Sequence, residues 1–149
     1  MDRIIEAAFL LGPLLIGMTT GPRKYIQCST KPALQPPGYI FGIAWFLLYI
    51  LFGVALLISW LRAGRQIDTS VIAQLILLSG LVLWGIVFMR ICAPDIAYIF
   101  IIALLGMTIG VTLLLFRKKN ILSACLLIPL VLWMSFATYL SYMMIIHRT

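Results

Sequence analysis

The sequence predicts an all-α integral membrane protein built as a five-transmembrane-helix bundle, and three observations carry that prediction. Of 149 residues, 64% are hydrophobic and the mean hydropathy is +1.15, more apolar surface than a particle of this size can hide. Only 10% are charged, where a soluble domain carries about a quarter. The apolar residues also gather into five runs near the length of roughly 20 residues that crosses a bilayer. A soluble enzyme, a disordered tail and a disulfide scaffold are excluded. The whole chain, 1–149, reads as one domain.

The first run covers Ile4 to Thr20. Its leader holds Asp2, Arg3 and Glu6 rather than a positive cluster, and no small-residue cleavage site follows, so a helix is expected there and not a secretory signal. The second run covers Tyr39 to Leu61, the third Val71 to Cys92, the fourth Ile96 to Phe116 and the fifth Ile121 to Ile146. All are expected as helices, because a chain in lipid must satisfy its own backbone hydrogen bonds. Barrel strands would alternate over about ten residues, and these runs do not. The links Arg62 to Ser70, Ala93 to Asp95 and Arg117 to Asn120 are short, which makes sequence neighbours antiparallel.

With five spans, six cations fall on one face and five on the other, so the positive-inside rule assigns no orientation and no host membrane. The net charge of +7 sits at the ends of apolar runs, among expected lipid headgroups, and is no nucleic-acid signal. Cys28, Cys92 and Cys125 show no paired spacing and His147 is the only histidine, so no metal site is expected. No acid or base occupies a helix centre, which disfavours ion-coupled transport, small multidrug transport included. No nucleophile–base pair is legible either, so no catalytic residue is assigned.

The aromatic residues carry more information. Trp60 suits an interfacial belt, but Trp45 and Trp84 lie about 10 Å below the long-loop face and Trp133 lies near mid-span. Phe41, Trp45, Tyr49 and Phe52 share one helical face; Leu81, Trp84 and Phe88 share another; Trp133, Phe136, Ala137 and Leu140 share a third. The antiparallel arrangement brings all three stripes beneath the loop Gly21 to Gly38. Ala137 beside large rings leaves room for something flat. Two readings stand: an aromatic pocket for a planar apolar ligand, with indole N–H groups as donors, or ordinary helix packing, which spacing alone favours. The loop has Pro32, Pro36 and Pro37 within six residues and is stiff; Pro36 and Pro37 suit the start of the second helix. Lys31, Arg23 and Lys24 would meet either ligand carboxylates or lipid phosphates.

At these positions the chain resembles the TSPO/MBR family of translocator proteins and tryptophan-rich sensory proteins. Lys31-Pro32 with Pro36-Pro37-Gly38, then Phe41-Gly42-Ile43-Ala44-Trp45 and Leu48-Tyr49, is similar to its K-P-x-x-x-P-P…F-G-x-x-W…L-Y signature. Trp84 to Phe88 resembles its third-helix W-x-x-x-F, and Pro129 to Leu140 its P-x-x-x-W-x-x-F-A-T-x-L. The resemblance implies a five-helix bundle, often a homodimer, with a cavity under the first loop that takes porphyrins such as protoporphyrin IX or a haem-like tetrapyrrole, sterols and polycyclic aromatic compounds. Trp45, Trp84, Trp133, Phe136 and Ala137 look like its lining, with Lys31 and Pro32 in its lid. Tyr25 stands near a position where the family usually has tryptophan, and Val82 and Leu83 are apolar where it has a polar residue.

Leu140, Tyr142 and Arg148 fit a loose sterol-recognition pattern that an interfacial tyrosine with a snorkelling arginine also satisfies. Gly17–Gly21, Gly38–Gly42 and Gly106–Gly110 have GxxxG spacing, suited to internal packing or to a dimer seam. The leading expectation is a receptor or carrier for tetrapyrroles or sterol-like lipids. Light-dependent degradation of a bound porphyrin, or a structural bundle without a small ligand, are the alternatives.

Overall fold

The computed structural model describes residues 2–19, 36–88 and 94–146. They form α1 (Asp2–Thr19), α2 (Gly38–Arg62), α3 (Thr69–Ile86), α4 (Pro94–Arg117) and α5 (Ile121–Ile146). Four of them, α2 to α5, are long and apolar enough to cross a membrane. α1 is 18 residues long and carries Asp2, Arg3 and Glu6 in its first turns. The expected ends of the first and third runs, Thr20 and Cys92, lie outside the described residues, and elsewhere the helices extend up to two residues past their apolar runs, mostly onto polar ones. Asp68 starts α3 two residues early, and Pro94 starts α4 two residues early because the first helical N–H needs no partner.

α2 is the hub. It packs on α1 and α5 and more lightly on α3, while α4 joins α3 to α5. Phe52, Leu56, Leu77, Leu81, Ile101, Leu115, Leu127 and Met134 fill the centre. Outward faces stay apolar, with Ile43, Leu47, Leu83, Ile99 and Leu132 exposed, as expected of helices solvated by acyl chains.

Glycine sets the closest approach. A side chain at Gly53 would run into the backbone carbonyl of Leu10, so α1 lies directly on α2 there, and one at Gly17 would overlap the ring of Tyr49. Of the three GxxxG pairs, the described glycine Gly17 is used for internal packing, whereas Gly38, Gly42, Gly106 and Gly110 face open space. The same α1–α2 contact corrects the placing of Trp60. It is 3% exposed and meets Phe9 edge-on at 5.6 Å, so it is covered by α1 instead of standing in a lipid belt.

Both described turns close with a residue in the left-handed region. Gly64 (φ 68°) ends α2, with its N–H on Leu61 O and that of Arg65 on Trp60 O; Lys119 (φ 57°) ends α4, with its N–H on Phe116 O and that of Asn120 on Leu115 O. Arg62 Nη1 donates to Lys119 O at 2.8 Å and ties the two turns together. Beneath them lies a buried polar cluster. Gln74 Nε2 and Asn120 Nδ2 both donate to Ser59 Oγ, at 2.6 and 3.0 Å, and Ser123 Oγ donates to Ala55 O.

Asp68 caps α3, accepting from the N–H groups of Ser70 and Val71 and pairing with Lys118 Nζ at 2.7 Å. Burial alone would raise its pKa, but Lys118, the Val71 N–H and Ser70 outweigh burial and hold it below the ordinary 3.8. A folded-state pKa below the unfolded one gives stability that is present above about pH 4 and is lost as pH falls through the folded value. Asp68→Asn keeps a capping oxygen but removes the charge, so it is expected to destabilise the protein in detergent at pH 7 by about 0.5–1 kcal/mol, read as a lower melting temperature. The gap should close as pH falls through the lowered folded-state pKa of Asp68. A gap that persists unchanged in acid would mean that the charge contributes nothing.

Candidate ligand-binding site

The three aromatic stripes meet at the end of the bundle opposite the Arg62 and Lys119 turns. α2 begins at Gly38 directly after Pro37, which is extended (φ −53°, ψ 146°) and accepts from the Ile40 N–H, so the Pro-Pro-Gly step does start the helix. From that start Phe41, Trp45 and Tyr49 follow at four-residue spacing on one face. Tyr49 lies 5.6 Å from Trp45, Trp45 lies 5.9 Å from Trp84, and Trp84 stacks on Phe88 at 5.1 Å with the rings 11° from parallel. A second group lies beside it: Phe41 meets Trp133 edge-on at 5.5 Å, and Trp133 lies 5.6 Å from Phe136. Phe88 sits where α3 widens into a π turn at Val87–Phe88, an irregularity common at functional sites.

Phe41, Trp45, Trp84, Phe88, Ala137 and Leu140 line one small void, together with Ser141 and Met144. The last two were not expected from the sequence, although Ala137, Ser141 and Met144 follow the i, i+4, i+7 spacing of one helical face. The space expected beside Ala137 is mostly taken. The void is about 20 Å³, against roughly 300–1,000 Å³ for common ligand pockets. Rings that would otherwise line an empty apolar cavity lose dispersion contacts, so they close on one another. A flat ligand enters only if these rings part.

The indole donors differ in state. Trp84 Nε1 donates to Ala97 O at 3.2 Å and ties α3 to α4, so it is occupied within the fold. Trp133 Nε1 is buried and has no partner among the described residues. Leaving such a donor unsatisfied costs about 1–3 kcal/mol, so a group that accepts from it regains that cost. Tyr25, Lys31, Pro32 and Arg148 lie outside the described residues. Leu140 and Tyr142 of the sterol pattern occupy different faces of α5: Leu140 is 3% exposed, inside the bundle, while Tyr142 is 46% exposed, with its ring 6.0 Å from Tyr98.

The chain matches the TspO/MBR family over residues 5–147, nearly its whole length. It belongs to the TspO/MBR family. Among its relatives, a tryptophan-rich protein TspO of Archaeoglobus fulgidus is 34% identical over 114 residues, covering 75% of this chain and 72% of that protein. The protein of the same name in Chlorobaculum tepidum is 30% identical over 152 aligned positions, covering 94% of each. Translocator protein 2 of the dog, Canis lupus familiaris, is 25% identical over 138 residues, covering 89% of this chain and 80% of that one. Membership in the TspO/MBR family and the apolar helices together make this an integral membrane protein.

Proposed function

We propose that this TspO/MBR-family protein crosses its membrane five times and binds porphyrins, sterol-like lipids or other polycyclic ligands among Trp45, Trp84 and Trp133. The fifth span is α1, whose 18 residues reach about 27 Å and whose surface from Ala7 onward is apolar. The void that Trp45 and Trp84 share with Phe41, which in turn meets Trp133, carries the reading, together with a buried Trp133 N–H that has no partner among the described residues. A conjugated macrocycle gives flat faces to the rings and polar edges to that donor. Lys31, expected in the lid, supplies charge for a ligand carboxylate. The same reading includes a homodimer seated on the open face of α4 at Gly106 and Gly110; cross-linking that traps only monomer in native membranes would contradict that part.

Titrating purified protein with protoporphyrin IX should quench tryptophan fluorescence saturably. Trp133→Phe, which keeps a ring and removes the N–H, should weaken binding about tenfold. Its stability should stay near wild type, since the orphaned donor is removed along with some packing. Absence of saturable quenching, or affinity unchanged from wild type in both Trp133→Phe and Trp45→Leu variants, would reject the proposed site.

A further inference from the structure

A cleft that carries polar groups lies at the other end of the molecule. A cleft of about 240 Å³ is lined by Ser59, Arg62, Asp68, Ser70, Lys118 and Asn120, room for several waters at about 30 Å³ each. Three features give it a chemistry. Arg62 and Lys118 against Asp68 leave one net positive charge on its walls, and each cation uses one donor on a protein partner while retaining others. Asn120 stands just before the first turn of α5, but its side chain does not cap it: the amide nitrogen donates to Ser59, and Oδ1 has no partner among the described residues. The positive end of α5 is thus left for an external anion. Finally, Asn120 is 4% exposed, and behind it Gln74 is fully buried with Oε1 also unpartnered, so two buried acceptors call for hydrogen-bond donors.

We propose that this cleft binds a phosphate ester bearing free hydroxyl groups: the phosphate between Arg62 and Lys118 near the α5 terminus, a hydroxyl donating to Asn120 Oδ1. Charge-assisted bonds to guanidinium and ammonium hold the phosphate. Exposed Leu61, Ile121 and Leu122, adjoining Arg62 and Asn120 in sequence, provide an apolar rim for acyl chains. The headgroup of an anionic phospholipid such as phosphatidylglycerol therefore meets every requirement, as basic pockets between spanning helices commonly do. Choline headgroups, which lack donors, meet only part of it.

The full chain, delipidated in an uncharged detergent, should melt at a higher temperature as dioleoylphosphatidylglycerol is added, saturably, and should respond little to dioleoylphosphatidylcholine. Arg62→Gln and Lys118→Gln should raise the half-saturating concentration about tenfold. Arg65→Gln removes the same charge from the same end but outside the cleft, and should change it less than about twofold. Glycerol phosphate distinguishes the source: no shift with it assigns the lipid, and a matching, Arg62-dependent shift assigns a soluble ester at the same site. Native mass spectrometry of wild-type protein, which needs no variant to fold, should retain phosphatidylglycerol over phosphatidylcholine. Equal responses to the two lipids, no saturable response to either phosphate compound, or a loss in Arg65→Gln as large as in Arg62→Gln would overturn the proposal.

Discussion

Replacing Gly53 by valine should destabilise the protein by about 3 kcal/mol, near the upper end of overpacking effects. The new side chain would meet the Leu10 carbonyl, a backbone atom that no rotamer change can move aside. α1 would have to lift from α2, uncovering Trp60 and the Phe9 contact with it. Gly42→Ala, on the same helix, is the matched control. Nothing lies within reach of its added carbon, so the ordinary helix preference for alanine should stabilise by about 0.5–1 kcal/mol. Thermal melting of both variants in the same detergent checks the pair; similar melting temperatures would show that the α1–α2 contact does not limit stability.

Trp45→Leu and Trp60→Leu should separate binding from folding. Both tryptophans lie on α2, 15 residues and about 22 Å apart along the helix. Trp45 touches both Tyr49 and Trp84, so its ring links the α2 and α3 parts of the aromatic cluster. Its loss should weaken protoporphyrin IX binding by about 1–3 kcal/mol, roughly fivefold to 150-fold. Trp60 is buried against Phe9 at the opposite end. Its loss should lower stability by about 2–3 kcal/mol and leave affinity unchanged. Equal affinity losses in the two variants would mean that binding follows overall integrity and not the cluster.

The spans and the aromatic stripes were legible because both depend on periodicity. A run of apolar residues commits the backbone to a helix, and a four-residue spacing then puts Phe41, Trp45 and Tyr49 on one side whatever their partners. What lies between helices was less legible. Trp60 read as an interfacial residue because its position on α2 is near an end, and nothing local to it reveals that Phe9, 51 positions away, will cover it. Gly53 carries no paired glycine four residues away, so a spacing search passes over the close approach of α1 to α2, while Gly106–Gly110 satisfies that search and faces outward. The void beside Ala137 was expected from side-chain size, but its volume depends on how neighbouring rings tilt. The polar cleft assembles from short links around Arg62, Asp68 and Asn120 that share no sequence pattern and converge only after the helices have packed.

The four tryptophans allow one direct test of where a ligand sits. Illuminating the protein with a slight excess of protoporphyrin IX in oxygenated buffer oxidises indoles close to the pigment, and mass spectrometry locates the products. Trp45, Trp84 and Trp133 should be oxidised well before Trp60, and competition by a non-absorbing polycyclic ligand should protect those three. Oxidation of Trp60 at the same rate as the others, with no protection, would place the pigment elsewhere and contradict the account.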